Sequence, residues 1–456
     1  MRHSKDWPLM SKAGHQRAAA LLATPVYGSR KDRFIQVLFL TMTRRWLILA
    51  DDLTGAADCA IALGGRGLAA VVTWGDIENV RSQEPILAYD TASRGLSADA
   101  AAARHREVLA SQPASGRFFF KKIDSTLRGQ PAAEIAATLD CLRSRSGSAF
   151  GVLSAALPAA GRTTRDGRIL VNGRALEETD LWRRDHTYPK ADLVDVLATA
   201  GICSEKVLLA AVRSGQLKSI LAGLADEGKT VAVCDAETED DLHLIAKAAL
   251  HAPPASVFIG SAGLAHALAC PDASKNVEPL LIPASKYGIL TVVGSLAGAS
   301  RAAARRLTAT GAVAYFPIEP EILRKNGAER AAIAATIKER LAGGGDVLVK
   351  IMNNGSPDMS LGPELVTSLA DTLEITVPVI GAFAVTGGET AAALLSRFGV
   401  IGIRLAEEME PGVPLGLTLG SLSVPIATKA GAFGDEYSLI RINERLRAVR
   451  TRGSFT

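Results

Sequence analysis

The chain has 456 residues, 48 % hydrophobic, 5 % aromatic and 21 % charged, with a net charge of +4; this length exceeds one ordinary core and points to two or three domains. Scarce aromatics argue against a base-stacking surface, and no apolar run approaches the ~20 residues of a membrane-spanning helix. Residues 1–43 carry +5 and the remainder −1, so the basic excess belongs to a tail and not to a nucleic-acid face.

That tail, 1–43, reads as a disordered basic extension, or its residues 1–41 as an over-called start, since Met42 stands four residues before the first strong strand; an extra strand at Phe34–Leu40 is the alternative. From Trp46 strands and helices alternate. Trp46–Ala50 is an expected buried strand, followed by a tight turn and a helix at Ala56–Leu63. Phe118–Lys122 is the next strand, leading to a helix at Ala132–Arg143. Further strands are expected at Phe150–Ser154, Lys206–Leu209, Thr230–Cys234 and Ser256–Gly260. A polar, proline-bearing stretch over 271–288 reads as a linker. A second series follows, with strands at Ile289–Gly294, Val347–Ile351, Val377–Val385 and Ile401–Leu405. The pattern predicts an α/β protein of two domains, 44–270 and 289–456, with largely parallel sheets and ligands at the carboxyl ends of their strands. The five cysteines (Cys59, Cys141, Cys203, Cys234, Cys270) form no C-x-x-C, which argues against disulfides and structural zinc and for the reducing cytoplasm.

One motif is to be refused. GLADEGKT (Gly223–Thr230) spells a phosphate loop, but such a loop needs a strand before its glycines and a helix after its lysine. Here a helix precedes, capped at Gly228, and a strand follows.

Two polar turns carry stronger signals. LADDLTGAAD ends a buried strand in Asp51 and Asp52; a helix cap uses one carboxylate, whereas a pair can bind a polyol, hold Mg²⁺ or take a hydroxyl proton. KKIDSTLRG places Lys122, Asp124, Ser125, Thr126 and Arg128 on one turn, a density suited to a small anionic polyol whose carboxylate Arg128 or Lys122 would pair. Arg94, in DTASRG, is a further candidate clamp. Downstream, GSAGLA (Gly260–Ala265), VVGSLAGAS (Val292–Ser300), VTGGETAAALL (Val385–Leu395) and IATKAGAFGD (Ile426–Asp435) are small-residue turns where backbone amides can approach phosphate oxygens.

Taken together, DD-x-TGA at 51–56, K-x-DST-x-RG at 122–129, GSAGLA at 260–265, the V-x-GS-type turn at 292–295, TGGETA at 386–391 and K-x-G-x-FG at 429–434 resemble the four-carbon acid sugar kinase family. The resemblance covers roughly Arg44–Ile440 and departs at one point, Gly431-Ala432 standing where the family has a double glycine. It implies ATP and Mg²⁺ as cofactors, with nucleotide contacts from Ser295, Gly387, Gly388, Glu389, Thr390 and Gly431. It implies a sugar acid such as threonate, erythronate or 3-oxo-tetronate, phosphorylated on its 4-hydroxyl and held near Asp51, Asp52, Lys122 and Arg128. The acid would sit on the first domain and MgATP on the second, across a cleft that closes to exclude water. Either Asp51 or Asp52 would be the general base; the metal ligands and the oligomeric state, a homo-oligomer included, stay open. A dehydrogenase lacks its G-x-G-x-x-G after the first strand, and a non-catalytic sugar-acid sensor would share the same contacts.

Overall fold

The computed structural model describes residues 45–64, 69–75, 84–112, 117–184, 186–251, 256–269, 280–282, 284–295, 297–325, 327–352, 361–431 and 433–455. The basic extension, Cys270, Ala432 and, of the expected linker, residues 271–279 and 283 therefore lie outside the described residues.

The first half supplies β1 (Arg45–Ala50), β2 (Ala70–Trp74), β3 (Ile86–Asp90), β4 (Arg117–Lys122) and β5 (Phe150–Ser154). A small meander follows, β6 (Arg162–Arg165), β7 (Arg168–Val171) and β8 (Arg174–Ala175), then β9 (Ser204–Val207), β10 (Val231–Cys234) and β11 (Ser256–Gly260). The second half adds β12 (Ile289–Val293), β13 (Ala314–Ile318), β14 (Val347–Ile351), β15 (Ala382–Thr386), β16 (Val400–Glu410), β17 (Val413–Gly420) and β18 (Pro425–Lys429). Fifteen of these strands form one sheet in the order β13-β14-β12-β15-β18-β17-β16-β2-β3-β1-β4-β11-β5-β10-β9.

Apart from the meander β6–β8 and the hairpin β16–β17, the strands within each half are parallel, because helical crossovers return the chain to the same rim. Strands such as β1 are apolar on both faces, as strands sandwiched between helix layers must be. The helix Leu53–Gly64 has no polar face, and all 12 of its residues are buried.

The halves join through antiparallel pairs: β16 with β2, β16 with β17, and β17 with β18. These reversals make the second half's parallel strands run opposite to the first's. Between β1 and β15 lie six strand steps; at the usual 20–25° each, twist accumulates to about 120–150°. That rotation turns the second carboxyl rim back toward the first.

Several expectations needed correction. The stretch Val377–Val385 is not one strand: Glu374–Val379 is a 3₁₀ helix containing Pro378, and β15 starts only at Ala382. Pro378 lacks the amide a central strand requires, and at Gly381 a Cβ would stand 2.1 Å from the Tyr287 carbonyl oxygen. Lys206–Leu209 shifts to Ser204–Val207, because Leu209 opens a short helix. Ile401–Leu405 is the start of the longer β16. The described part of the linker is tied down, with Ile282 N donating to Gly453 O (2.9 Å).

The refused motif folds as the sequence argued. Helix Leu217–Asp226 comes first, Gly228 takes φ +80° and β10 follows; Lys229 Nζ pairs with Glu205 at 2.9 Å. Among the described residues no helix is long and apolar enough to cross a membrane.

Candidate active site

Because β3, β1 and β4 are neighbours, three polar turns meet at one rim: Asp90–Arg94, Asp51–Asp52 and Lys122–Arg128. Arg94 is their hub. Its Nε and Nη2 donate to Asp51 Oδ2 (2.7 Å) and Oδ1 (3.0 Å), its Nη1 donates to Asp52 Oδ2 (2.9 Å), and Nη2 lies 3.8 Å from Asp124 Oδ1. Arg128 grips Asp124 with two bonds, 2.7 and 3.1 Å. Lys122 Nζ stands close to Asp52: a Cβ on Gly55 would lie 2.8 Å from that nitrogen and 2.5 Å from Asp52 Oδ1, so a side chain there would push these two charged groups aside. Both flanking turns hold a non-glycine residue in the left-handed region, Ala92 (φ 50°) and Leu127 (φ 58°), strain that recurs where function fixes a backbone.

The double lysine divides by strand alternation. Lys122 faces the aspartates, whereas Lys121 faces the helix Pro131–Ser146 and pairs with Glu134 at 2.8 Å. Glu134 also accepts the Ser93 hydroxyl (2.5 Å), which anchors the turn carrying Arg94.

Charge balance keeps the cluster ionised. Burial pushes the Asp51 carboxyl up, but Arg94 and Lys122 outweigh it and hold it below the usual carboxylate range. Burial likewise opposes ionisation of Asp124, yet Arg128 and Arg94 hold it well below that range. Lys122 is raised above the ordinary lysine value, since Asp51 and Asp52 overcome its burial. Asp90 has no such partner: burial, with Asp52 and Asp51 nearby, lifts it to about 7 although the Ala92 amide donates to it.

The two aspartates are not equivalent. Asp51 has both oxygens bound by Arg94 and its side chain is 3 % exposed, against 12 % for Asp52. Asp52 accepts the Thr54 hydroxyl (2.7 Å) and the Gly55 amide (3.1 Å) and faces the second half. A Cβ on Gly388 would sit 3.0 Å from Asp52 Oδ2 and 3.4 Å from Thr54 Oγ1.

On that second half β12, β15 and β18 are adjacent, which gathers the turns after Val293, Thr386 and Lys429. Gly387 has φ +93° and its amide donates to Lys429 O (3.0 Å). Helix Gly388–Arg397 starts there, with Glu389 exposed and Thr390 buried. A Cβ on Gly431 would lie 2.2 Å from Ser295 Oγ, and one on Gly294 would lie 1.9 Å from Thr390 Oγ1. These glycines thus let the three turns close on one another. GSAGLA serves packing too: Ser261 Oγ donates to Ala156 O (2.6 Å), and a Cβ on Gly263 would meet that oxygen at 2.5 Å.

Sequence reasoning missed Arg162, which opens the meander. It donates to Ser125 Oγ (2.5 Å) and stands 6.0 Å from the Phe433 ring centroid, touching both halves. No motif flags it, since only the fold lays β6 over the Ser125 turn. Lys429 is buried, its Nζ 3.3 Å from Ser300 Oγ, and burial lowers it to about 8.

Residues 46–268 match a sugar-binding N-terminal domain family and residues 290–439 a nucleotide-binding C-terminal domain family. A D-threonate kinase of Cupriavidus necator is 40 % identical over 408 residues, covering 86 % of this chain and 96 % of that protein. A D-threonate kinase of Salmonella typhimurium is 30 % identical over 424 residues, 87 % of this chain and 96 % of that protein. More distant relatives are named D-erythronate and 3-oxo-tetronate kinases. The fold is shared with the crystal structure of Haemophilus influenzae protein HI1011 (TM-score 0.69, 21 % identity, 90 % of this chain and all of that one). The two family matches, and kinases of four-carbon acids alike over 86–87 % of the chain, place it in the four-carbon acid sugar kinase family.

Proposed function

We propose that this kinase transfers the γ-phosphoryl group of ATP to the 4-hydroxyl of a four-carbon sugar acid, with the acid on the 44–270 half and the nucleotide on the 289–456 half. The observation that carries the reading is the approach of Asp52 to the Gly387–Gly388 turn, which sets a carboxylate opposite a helix N-terminus. The amides that open helix Gly388–Arg397 lack intrahelical partners and favour phosphate oxygens. Ser295, Gly387, Gly388, Glu389, Thr390 and Gly431 would line the nucleotide. Asp52 accepts the hydroxyl proton, while Asp51 and Arg94 hold it in place. Arg128, Lys122, Ser125 and Arg162 surround the space for the acid, and its carboxylate would draw on Arg128, the more exposed cation. Glu389, exposed and unpaired among the described residues beside the turn, suits Mg²⁺, which when bound neutralises phosphate charge. The free thiols of Cys59, Cys141, Cys203 and Cys234 fit a cytoplasmic enzyme.

A coupled ADP-release assay over D- and L-threonate, D- and L-erythronate and 3-oxo-tetronate tests this, D-threonate being the first to try. Release should require one of these acids, and Asp52→Asn should lower kcat by about 10²–10⁴ while the acid still binds. No release with any acid, or Asp52→Asn within tenfold of wild type, would refute it.

A further inference from the structure

Six residues beyond Asp52, or about 9 Å further along the helix, Asp58 belongs to none of the contacts described above. Its side chain is only 9 % exposed, yet it makes no hydrogen bond or ion pair among the described residues. Two other side chains converge on it. His266 comes from helix Ala262–Leu268 and Glu408 from β16, both packed against helix Leu53–Gly64. One ligating atom of each residue lies within 4.8 Å of the other two. Glu408 spends Oε1 on the Gly412 amide (3.3 Å), which leaves its other oxygen uncommitted.

A salt-bridged triad would not look like this. His266 forms no ion pair with either carboxylate, and two acids are drawn together with one of them buried. Burial, with Glu408 adding to it, pushes Asp58 up to about 6 despite His266. A cation among the three removes that cost. One imidazole nitrogen and two carboxylate oxygens suit Zn²⁺, Mn²⁺ or Co²⁺, whereas Mg²⁺ prefers an all-oxygen octahedron rich in water.

We propose that Asp58, His266 and Glu408 bind one divalent transition-metal ion, completed by water, separate from any Mg²⁺ carried with the nucleotide. The ion ties two helices of the sugar-binding half to a strand of the nucleotide-binding half. It acts as a staple across the junction on which the approach of the rims depends.

The test uses the untagged full chain, stripped by chelation and free of nucleotide. Calorimetry with Co²⁺ and with Zn²⁺, together with the visible Co²⁺ spectrum, should show one ion per chain with Kd below about 100 μM, as a preorganised three-ligand site allows. His266→Gln, at an exposed position that leaves folding intact, should weaken Kd at least tenfold, and so should Glu408→Gln and Asp58→Asn. Metal should raise the Tm of the wild type and not of His266→Gln. The proposal is overturned if the wild type binds no such ion, if His266→Gln and Glu408→Gln bind it as the wild type does, or if Mg²⁺ binds as tightly as Co²⁺. None of these readouts depends on kinase activity, so they stand apart from the assay of the proposed reaction.

Discussion

Arg94 offers the sharpest perturbation, because one guanidinium holds the turn geometry of two aspartates. It makes three charge-assisted hydrogen bonds of 2.7–3.0 Å while only 17 % exposed. Arg94→Met leaves Asp51, Asp52 and Asp124 crowded without their shared cation, and removing one partner of a buried pair costs about 3–5 kcal/mol. Arg94→Lys keeps the charge but loses the fork, at about 1.5–3 kcal/mol. Denaturant unfolding at pH 7 measures both. The acid dependence follows from Asp51, whose folded pKa is depressed: its stabilisation is present above its ordinary value of 3.8 and is lost as pH falls through the folded value. The Arg94→Met deficit should therefore be full at pH 7 and shrink in acid. Kinetics separate two roles. If Arg94 positions Asp52, Arg94→Lys lowers kcat with KM for the acid within about threefold; if it clamps the substrate carboxylate, KM rises and kcat holds. Wild-type stability and kinetics in Arg94→Met would refute the hub assignment altogether.

Gly388→Val should lower kcat as well as ATP affinity, by about 10²-fold or more in kcat/KM, because its Cβ presses on Asp52 as well as on the nucleotide space; a folded variant with unchanged turnover would contradict the contact between the rims. Lys229→Ala should leave KM for ATP within about twofold, since Lys229 precedes β10 at the rim away from the site; a hundredfold loss would restore the refused phosphate loop. Asp90 is raised to about 7 by burial, so the folded state holds its proton longer than the unfolded chain does. Its cost therefore grows as pH climbs from about 4 to 7. Asp90→Asn should be more stable than wild type at pH 8, by up to a few kcal/mol, with the gap closing near pH 4; an unchanged gap in pH-dependent unfolding would refute the shift.

Much of this protein was legible in its residues. Continuous apolar runs such as WLILA and FFFKK, each followed by charged or small residues and then a helical stretch, specify buried parallel strands with polar rims. The order of DDLTGA, KIDSTLRG and TGGETA carried the family. The refused loop could be rejected because the glycine that ends SILAGLADEG, Gly228, caps a helix on the wrong side of the lysine. Elements whose local signal is mixed were misjudged: Pro378 hid a 3₁₀ turn inside an apolar run, and the acidic end of β16 masked the part of a long strand that pairs with β17.

What the sequence could not state is which side chains meet, since that depends on pairing between distant segments. The difference between Asp51 and Asp52 comes from Arg94, 43 and 42 residues away, which binds both oxygens of one and a single oxygen of the other. Arg162 reaches Ser125 only because β6 folds back over that turn. Above all, the meeting of the rims was decided by tertiary structure. The hairpin β16–β17 reverses the strand direction between halves, and the accumulated twist of the intervening strands returns the glycine-rich turns to Asp52. Periodicity encodes which face of a strand is buried; it carries no record of the sheet's direction or of its total rotation.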